Sequence, residues 1–412
     1  MGILGLLKFI RDNFPKGWRK TTLKEYKGKR FAIDASVAIH AYVAAEVDVG
    51  DGFIKLILRL RHHSIVPVFV FDGPSGRRKA LTKQKRDIDK KTKIDKYNDM
   101  LANPEEYTAD EQERIRKGIR MTTREDADKA KKACQAMGVS WIQSPGESDF
   151  VMAILSRRKI VDGVFSVDSD MLTHKVDCLV TKLAFQNDGP LDEYSRPTIL
   201  KEMKMTDDEF TDFCVMLGTD YSKKIMGVGP ITAYDMMCQH GSLKAVIDAI
   251  KADPKGKYKV PTDNFDIPDT VAAFVEDDPD SAETVRLFVE TEDAAESEAV
   301  DTPKLLKEMG YDTKMAQRIA ESFAKGWLIN EFSLRPPPCK FGSFGKKPAP
   351  LPSAPVSKEA VYDGVTIVDK TEDVIQEQEQ MIVDDSLGNQ TLPTNPTEEK
   401  DIDGDSQMSE AQ

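Results

Sequence analysis

The sequence predicts an α/β protein in which a mostly parallel sheet is flanked by helices and followed by an all-helical region. Three observations carry this. Short apolar runs with strand character recur through the first half of the 412 residues, and helical patterns separate them. Beyond Met205 the strand-like runs stop, while helical patterning continues to about Gly326.

The strand candidates in order are Arg30-Phe-Ala-Ile-Asp34, Val66-Pro-Val-Phe-Val-Phe-Asp72, Val139-Ser-Trp-Ile-Gln143, Gly163 to Val167, and Cys178-Leu-Val-Thr181. Gly52 to Arg61 and Ser148 to Arg158 read as helices between them. Residues 76–137 are charged and helical with no strand, too long for an ordinary crossover, and read as an inserted helical element. From Leu334 the composition shifts to proline-rich and then acidic, which cannot build a core. The expected parts are therefore 1–204 with the insertion at 76–137, a helical region at 205–333, and a disordered acidic tail at 334–412. No internal repeat is evident.

Composition excludes several classes. The chain is 40% hydrophobic and 31% charged without a long apolar run, so no transmembrane helix, secretory signal or membrane partner is expected. Met1-Gly2-Ile-Leu-Gly-Leu lacks the hydroxyl residue that N-myristoylation prefers. Five scattered cysteines with no CxxC argue against structural zinc and a disulfide framework, and suit a reducing cytosol or nucleus. The net charge of −12 conceals an uneven distribution. Residues 358–412 carry −12, residues 261–301 carry −13 and residues 302–357 about +5, which leaves residues 1–260 at about +8. A basic body with acidic segments behind it suits a polyanionic partner.

Carboxylates end the strand candidates. Asp34 closes the first run and Asp72 the second; Glu147 and Asp149 follow the third, and Asp168 and Asp170 the fourth. Asp220 follows the apolar stretch Phe213-Cys-Val-Met-Leu-Gly-Thr. A lone strand-end Asp is more often a turn or cap residue than a ligand, and Glu147 and Asp149 are placed to cap the helix after them. Seven acids are harder to explain as caps. In a parallel sheet the strand C-termini share one edge, where ligands bind, and acids gathered there repel one another unless cations fill the gap. Oxygen donors without His or Cys point to Mg²⁺, with Mn²⁺ as a substitute. Two such ions suit phosphodiester hydrolysis.

Two further features suit a nucleic acid. Lys79, Lys83, Arg86, Lys90 and Lys93 share one face of a helix that begins shortly after Asp72. Such faces are usually solvated, and Asp87, Asp89 and Asp95 give partial relief, but Lys79 and Arg86 are near enough to the acids to grip a scissile phosphate. Ile225-Met-Gly-Val-Gly-Pro-Ile-Thr-Ala233 reads as a two-glycine turn opening a helix, whose first N–H groups can hold a phosphate without reading sequence. A plain helix–helix turn would explain the same residues.

Met1-Gly-Ile-Leu-Gly-Leu, Ala32-Ile-Asp-Ala-Ser36, Val70-Phe-Asp-Gly73, Pro145-Gly-Glu-Ser-Asp149, Val167-Asp-Ser-Asp170, and Leu217-Gly-Thr-Asp-Tyr221 with Gly227-Val-Gly-Pro230 together resemble the flap endonuclease family of structure-specific 5′ nucleases. The order and spacing match over roughly residues 1–330. The resemblance implies a PIN-like core, a helical arch over the site and a helix–two-turn–helix that grips duplex DNA. It assigns Asp34, Asp72, Glu147 and Asp149 to one metal, and Asp168, Asp170 and Asp220 to the second. Lys79 and Arg86 match the arch's phosphate-gripping pair, and Gly2 would lie near the site with its free amine after removal of Met1. His40, Glu147, Gly218, Asp220, Gly227 and Gly229 would meet DNA, and the hairpin at Gly227–Gly229 would hold K⁺ through backbone carbonyls.

The sequence departs from the family pattern in places. Asp149 stands where Glu is usual, and His40 where a stacking Tyr is usual. The stretch between Ala44 and Phe53 is shorter than in eukaryotic members. The sliding-clamp motif is not intact: Gln378-Glu-Gln-Met381 begins like it, but Asp384-Asp385 stand where aromatics belong. The expectation is a Mg²⁺-dependent 5′ flap endonuclease and 5′→3′ exonuclease that cuts branched double-stranded DNA at single-strand junctions in replication and repair. It would act in the nucleus, or at a cytoplasmic replication site if virus-encoded. The exonuclease and junction-resolvase branches, an RNA-directed nuclease and a non-catalytic junction-binding scaffold are the alternatives.

Overall fold

The computed structural model of the chain describes residues 2–74, 80–119, 121–184, 188–253, 256–262, 267–275, 277–294 and 300–326. All fall within one compact unit. Lys79, the tail at 334–412 and the clamp-like Gln378–Met381 lie outside the described residues, as does the side chain of Arg86.

Seven strands form one sheet: β1 (Trp18–Thr21), β2 (Arg30–Asp34), β3 (Val66–Phe71), β4 (Trp141–Gln143), β5 (Gly163–Phe165), β6 (Cys178–Thr181) and β7 (Leu191–Ser195). Their order is β1-β7-β6-β5-β2-β3-β4. The five predicted runs pair in parallel, with Ile33 opposite both Phe69 and Phe165. β7 pairs antiparallel with β6 and with β1.

The central parallel strands are largely apolar because both faces of the sheet are covered. Successive residues alternate between two cores. Ala32, Val68, Val70, Val164 and Leu179 pack with helices Leu6–Asn13, Ser148–Arg157 and Asp207–Met216. Phe31, Ile33, Phe69, Phe71, Phe165 and Val180 pack on the opposite side with helices Val49–His62, Arg124–Ala136 and Thr313–Lys325. The period-2 geometry of a strand requires this division.

β1 and β7 were not among the predicted strands. Their sequences, Trp-Arg-Lys-Thr and Leu-Asp-Glu-Tyr-Ser, contain no apolar run. Antiparallel pairing at one side of the sheet makes them strands. Asp192 is buried there because Lys182 Nζ reaches its carboxylate at 2.6 Å. The predicted insertion contains helices Ala80–Ala102 and Ala109–Gly118, and the chain returns to the core through Arg124–Ala136. That last helix starts at a reciprocal capping box of Thr123 and Asp126. Helices continue from Asp207 to Lys325 with no further strand among the described residues. Cys134, Cys178, Cys214 and Cys238 are free thiols. No described helix is long and apolar enough to cross a membrane.

Candidate active site

Parallel pairing gathers the C-terminal ends of β2, β3, β4 and β5 at one edge. From β2 the chain runs outward to β3 and β4 on one side and to β5 and β6 on the other. Crevices outside strand C-termini at such a reversal are where α/β sheets bind ligands. Asp34 is the last residue of β2, and Asp72 follows β3 directly. Glu147 and Asp149 stand at the start of helix Ser148–Arg157, just after β4. Asp168 and Asp170 follow β5. Asp220 arrives from the turn after helix Asp207–Met216, and carboxylate oxygens of Asp168, Asp170 and Asp220 lie within 4.8 Å of one another.

Short side chains and backbone donors hold these acids. Asp34 Oδ1 accepts from the N–H groups of Ser36 (3.0 Å) and Val37 (3.3 Å), so this acid does cap its helix, as the simpler reading of a strand-end Asp expects. Asp72 Oδ2 accepts from Ser36 Oγ at 2.6 Å and its Oδ1 from Ser148 N at 2.9 Å. Glu147 occupies the N-cap of its helix without a side-chain cap bond. Its Oε2 instead accepts from the Tyr221 hydroxyl at 3.0 Å. Tyr221 follows Asp220 in the chain, so one side chain ties the β4 loop to the Asp220 turn. Asp168 Oδ1 accepts from Asp170 N at 3.0 Å, and Asp168 N donates to Ser166 Oγ at 3.1 Å.

The cluster is electrostatically strained. Burial, then the charges of Asp149 and Asp72, push the Asp34 carboxyl up to about 8. Asp34, Glu147, Asp149, Asp168 and Asp170 are all buried. Buried carboxylates that raise one another's proton affinity are relieved by a cation, and an all-oxygen donor set suits a hard divalent ion. The residues present therefore fit Mg²⁺ or Mn²⁺. Among the described residues this close convergence of ligand atoms, within 4.8 Å, is met by Asp168, Asp170 and Asp220 and by no other group of acids, His or Cys, the set Asp34, Asp72, Glu147 and Asp149 included.

Two glycines permit close approach at the site. Gly2 adopts φ +84°, and a Cβ there would overlap Asp168 Oδ1 and Ser169 Oγ. Ile3 N donates to Ser169 Oγ at 2.8 Å, which fixes the N-terminal segment against this loop. Gly73 N donates to Gly146 O at 2.6 Å, and a Cβ on Gly73 would overlap the Ser144 carbonyl oxygen. Glycine in Val70-Phe-Asp-Gly73 thus lets the Asp72 loop lie directly on the Glu147 loop.

Gly218 and Gly227 have φ of +84° and +82° in the segment between two helices. Gly229 is the N-cap of helix Pro230–His240 and supplies no side-chain cap to its first turn, whose first residue, Pro230, has no N–H. The turn is braced by an antiparallel bridge between Met226 and Lys259. His40 lies exposed on helix Ala35–Ala44. Arg86 falls on helix Ala80–Ala102.

The sequence reading gave no role to Ser36, Gln143, Ser148, Ser166 or Tyr221. Four of them sit inside the quoted motifs or strand runs next to an acid. A hydroxyl residue one or two places from a strand-end carboxylate is the signal that would have found them.

Family models for the XPG N-terminal domain and the XPG I-region match residues 1–93 and 138–220. Flap endonuclease 1 of Aspergillus clavatus is 32% identical over 279 residues, which span 64% of this chain and 70% of that protein. Flap endonuclease 1 of Scheffersomyces stipitis is 29% identical over 79% of this chain and 88% of that protein. Among solved structures, the catalytic core of Rad2 in complex with DNA substrate is similar with a TM-score of 0.53, at 20% identity over 77% of this chain and 99% of that one. Human GEN1 in complex with Holliday junction DNA gives 0.51 at 15% identity, covering 79% and 78%. Both share the fold of this chain.

Proposed function

Because the chain belongs to the flap endonuclease family of structure-specific, phosphodiester-hydrolysing nucleases, we propose that it is a Mg²⁺-dependent 5′ flap endonuclease and 5′→3′ exonuclease acting on branched duplex DNA. The observation that carries this is the convergence of Asp168, Asp170 and Asp220, together with a buried Asp34 whose carboxyl is pushed up by the charges of buried Asp149 and exposed Asp72. In this reading residues 1–204 are the nuclease core and 205–333 the duplex-gripping region. Asp34, Asp72, Glu147 and Asp149 hold one ion, and Asp168, Asp170 and Asp220 the other. Divalent ions at such a site supply an activated water and neutralise the leaving oxygen.

The chain's own residues orient this chemistry. Ser36 and the Ser148 N–H fix both oxygens of Asp72, and Tyr221 fixes Glu147. The Gly227–Gly229 turn and the N-terminus of helix Pro230–His240 hold a duplex phosphate, with K⁺ at the same turn. Exposed His40 stacks on a substrate base, and Lys79 and Arg86 grip the scissile phosphate. Hydrolysis at the junction leaves a 5′-phosphate on the downstream strand. The fungal relatives support action in the nucleus, in DNA replication and repair.

The test compares labelled substrates in Mg²⁺: a 5′ flap, a recessed 5′ end at a gap, a four-way junction and a single strand. Cutting of the flap near its base, with slower removal of nucleotides at the gap, supports the reading. Preferred symmetrical cutting of the four-way junction would move the chain to the resolvase branch. Equal cutting of the single strand would refute structure specificity.

A further inference from the structure

Resting on the proposed metal chemistry, the structure assigns a positioning role to Gln143 and Lys131, which join the helix returning from the inserted region to the loops that carry the first set of acids. Gln143 is the last residue of β4, one place before Ser144. Its Nε2 donates to the carbonyl oxygens of Asp72 (2.8 Å), Ser144 (3.2 Å) and, more weakly, Phe71 (3.4 Å). Its Oε1 accepts from Lys131 Nζ at 2.7 Å. One amide therefore spans the backbone of the Asp72 loop and the backbone that leads to Glu147.

Around it the two loops are zipped together. Ser144 N donates to Phe71 O at 2.9 Å, Gly73 N to Gly146 O at 2.6 Å, and Ser148 N to Asp72 Oδ1 at 2.9 Å. Ser144 Oγ donates to Glu147 O at 2.8 Å. Two side chains in this zipper also reach a further element: Asp72 meets Ser36 on helix Ala35–Ala44, and Gln143 meets Lys131. Lys131 lies on helix Arg124–Ala136, into which the chain runs from helices Ala80–Ala102 and Ala109–Gly118.

Lys131 is itself fixed. Its ammonium lies 5.3 Å from the Phe71 ring centroid and 5.5 Å from that of Trp141, and those two rings meet edge to face at 5.8 Å. Phe71 precedes Asp72, and Trp141 is two residues before Gln143. The cation is held by both strands at once, and Gln143 orients its carbonyl oxygen to it, which leaves the amide hydrogens to the loop carbonyls. A neutral amide suits this place because it accepts on one side and donates on the other; a carboxylate there would face three carbonyl oxygens. The pair sets the separation of Asp72 from Glu147, and a displacement of helix Arg124–Ala136 reaches the first metal through it. Neither side chain is among the proposed metal ligands; the pair acts through the backbone of the two loops.

The prediction is a loss of metal affinity without loss of the fold. Mn²⁺ binding to the full-length free protein, followed by electron paramagnetic resonance, is the probe, with Gln143→Glu, Gln143→Ala and Lys131→Met as variants. Exposed Lys132→Met on the same helix serves as the control. Removing a group that orients a ligand costs roughly 10–100-fold in affinity. Gln143→Glu and Gln143→Ala are expected to weaken one of the two Mn²⁺ sites about tenfold and Lys131→Met a fewfold, with the other site unchanged. The Mg²⁺ concentration for half-maximal cleavage should rise in parallel, and saturating Mg²⁺ should restore much of the rate. Affinity for flap DNA in Ca²⁺ should not move. A variant that unfolds at lower urea yet binds Mn²⁺ as the wild type does would overturn the assignment and leave these residues a packing role. Wild-type protein that binds no Mn²⁺ would instead overturn the metal reading itself.

Discussion

Asp34→Asn separates the charge argument from the chemistry. In the metal-free protein, burial and the charges of Asp149 and Asp72 push the Asp34 carboxyl from an ordinary 3.8 to about 8. The folded state then keeps a proton that the unfolded chain releases. Its stability is full below about 4, falls as pH rises through this window, and levels off above about 8. Each pH unit inside the window costs about 1.4 kcal/mol. The interval from 3.8 to pH 7 therefore amounts to roughly 4 kcal/mol. The neighbouring acids share that cost, so the figure is an upper bound. Asparagine has no proton to release and caps a helix about as well as aspartate. In EDTA, Asp34→Asn should exceed wild type by about 2–4 kcal/mol at pH 7 and by less than about 2 kcal/mol at pH 5. Cleavage in Mg²⁺ should be lost. Urea unfolding followed by circular dichroism at both pH values, with single-turnover cleavage, measures all three. A variant less stable than wild type at pH 7, or one with an equal gain at both pH values, would refute the account of a self-repelling buried cluster.

Other substitutions probe the supports. Tyr221→Phe removes the hydroxyl that orients Glu147; a hydrogen bond to a charged group contributes about 1.5–3 kcal/mol, so single-turnover cleavage should slow about tenfold or more while the fold persists. Gly73→Ala puts a Cβ onto the Ser144 carbonyl, and urea unfolding should show a loss of about 1–3 kcal/mol together with reduced cleavage. Gly2→Ala combines a left-handed φ with overlap on Asp168. It should depress cleavage while leaving urea stability within about 1–2 kcal/mol of wild type, because the N-terminal segment can yield where the sheet cannot. Mg²⁺ titrated into metal-free protein at pH 8 should raise the unfolding midpoint, and should raise it less in Asp168→Asn.

The buried parallel strands and the acids at their ends were legible in the sequence because both signals are local. A strand covered on both faces must be apolar throughout, as in Val66–Phe71, and its terminal Asp stands out against that run. The antiparallel strands Trp18–Thr21 and Leu191–Ser195 were not legible. They are strands through pairing with β6 and with each other, and a buried Asp192 is intelligible only once Lys182 is beside it. The split of the strand residues between two cores follows from alternation, but which helices cover which face depends on long-range packing. Within the site, ligand types could be read from spacing. The supporting shell could not, since Gln143 meets Asp72 across 71 residues and Tyr221 meets Glu147 across 74.

The most direct test of a metal-dependent, junction-cutting nuclease compares wild type with Asp168→Asn on a 5′-labelled flap duplex, in Mg²⁺ and in EDTA, with DNA binding followed in parallel in Ca²⁺. The account predicts cutting near the flap base by wild type in Mg²⁺ alone, and no cutting by Asp168→Asn although it still binds the duplex. Binding by both proteins with cutting by neither, or cutting that survives EDTA or the loss of Asp168, would contradict it.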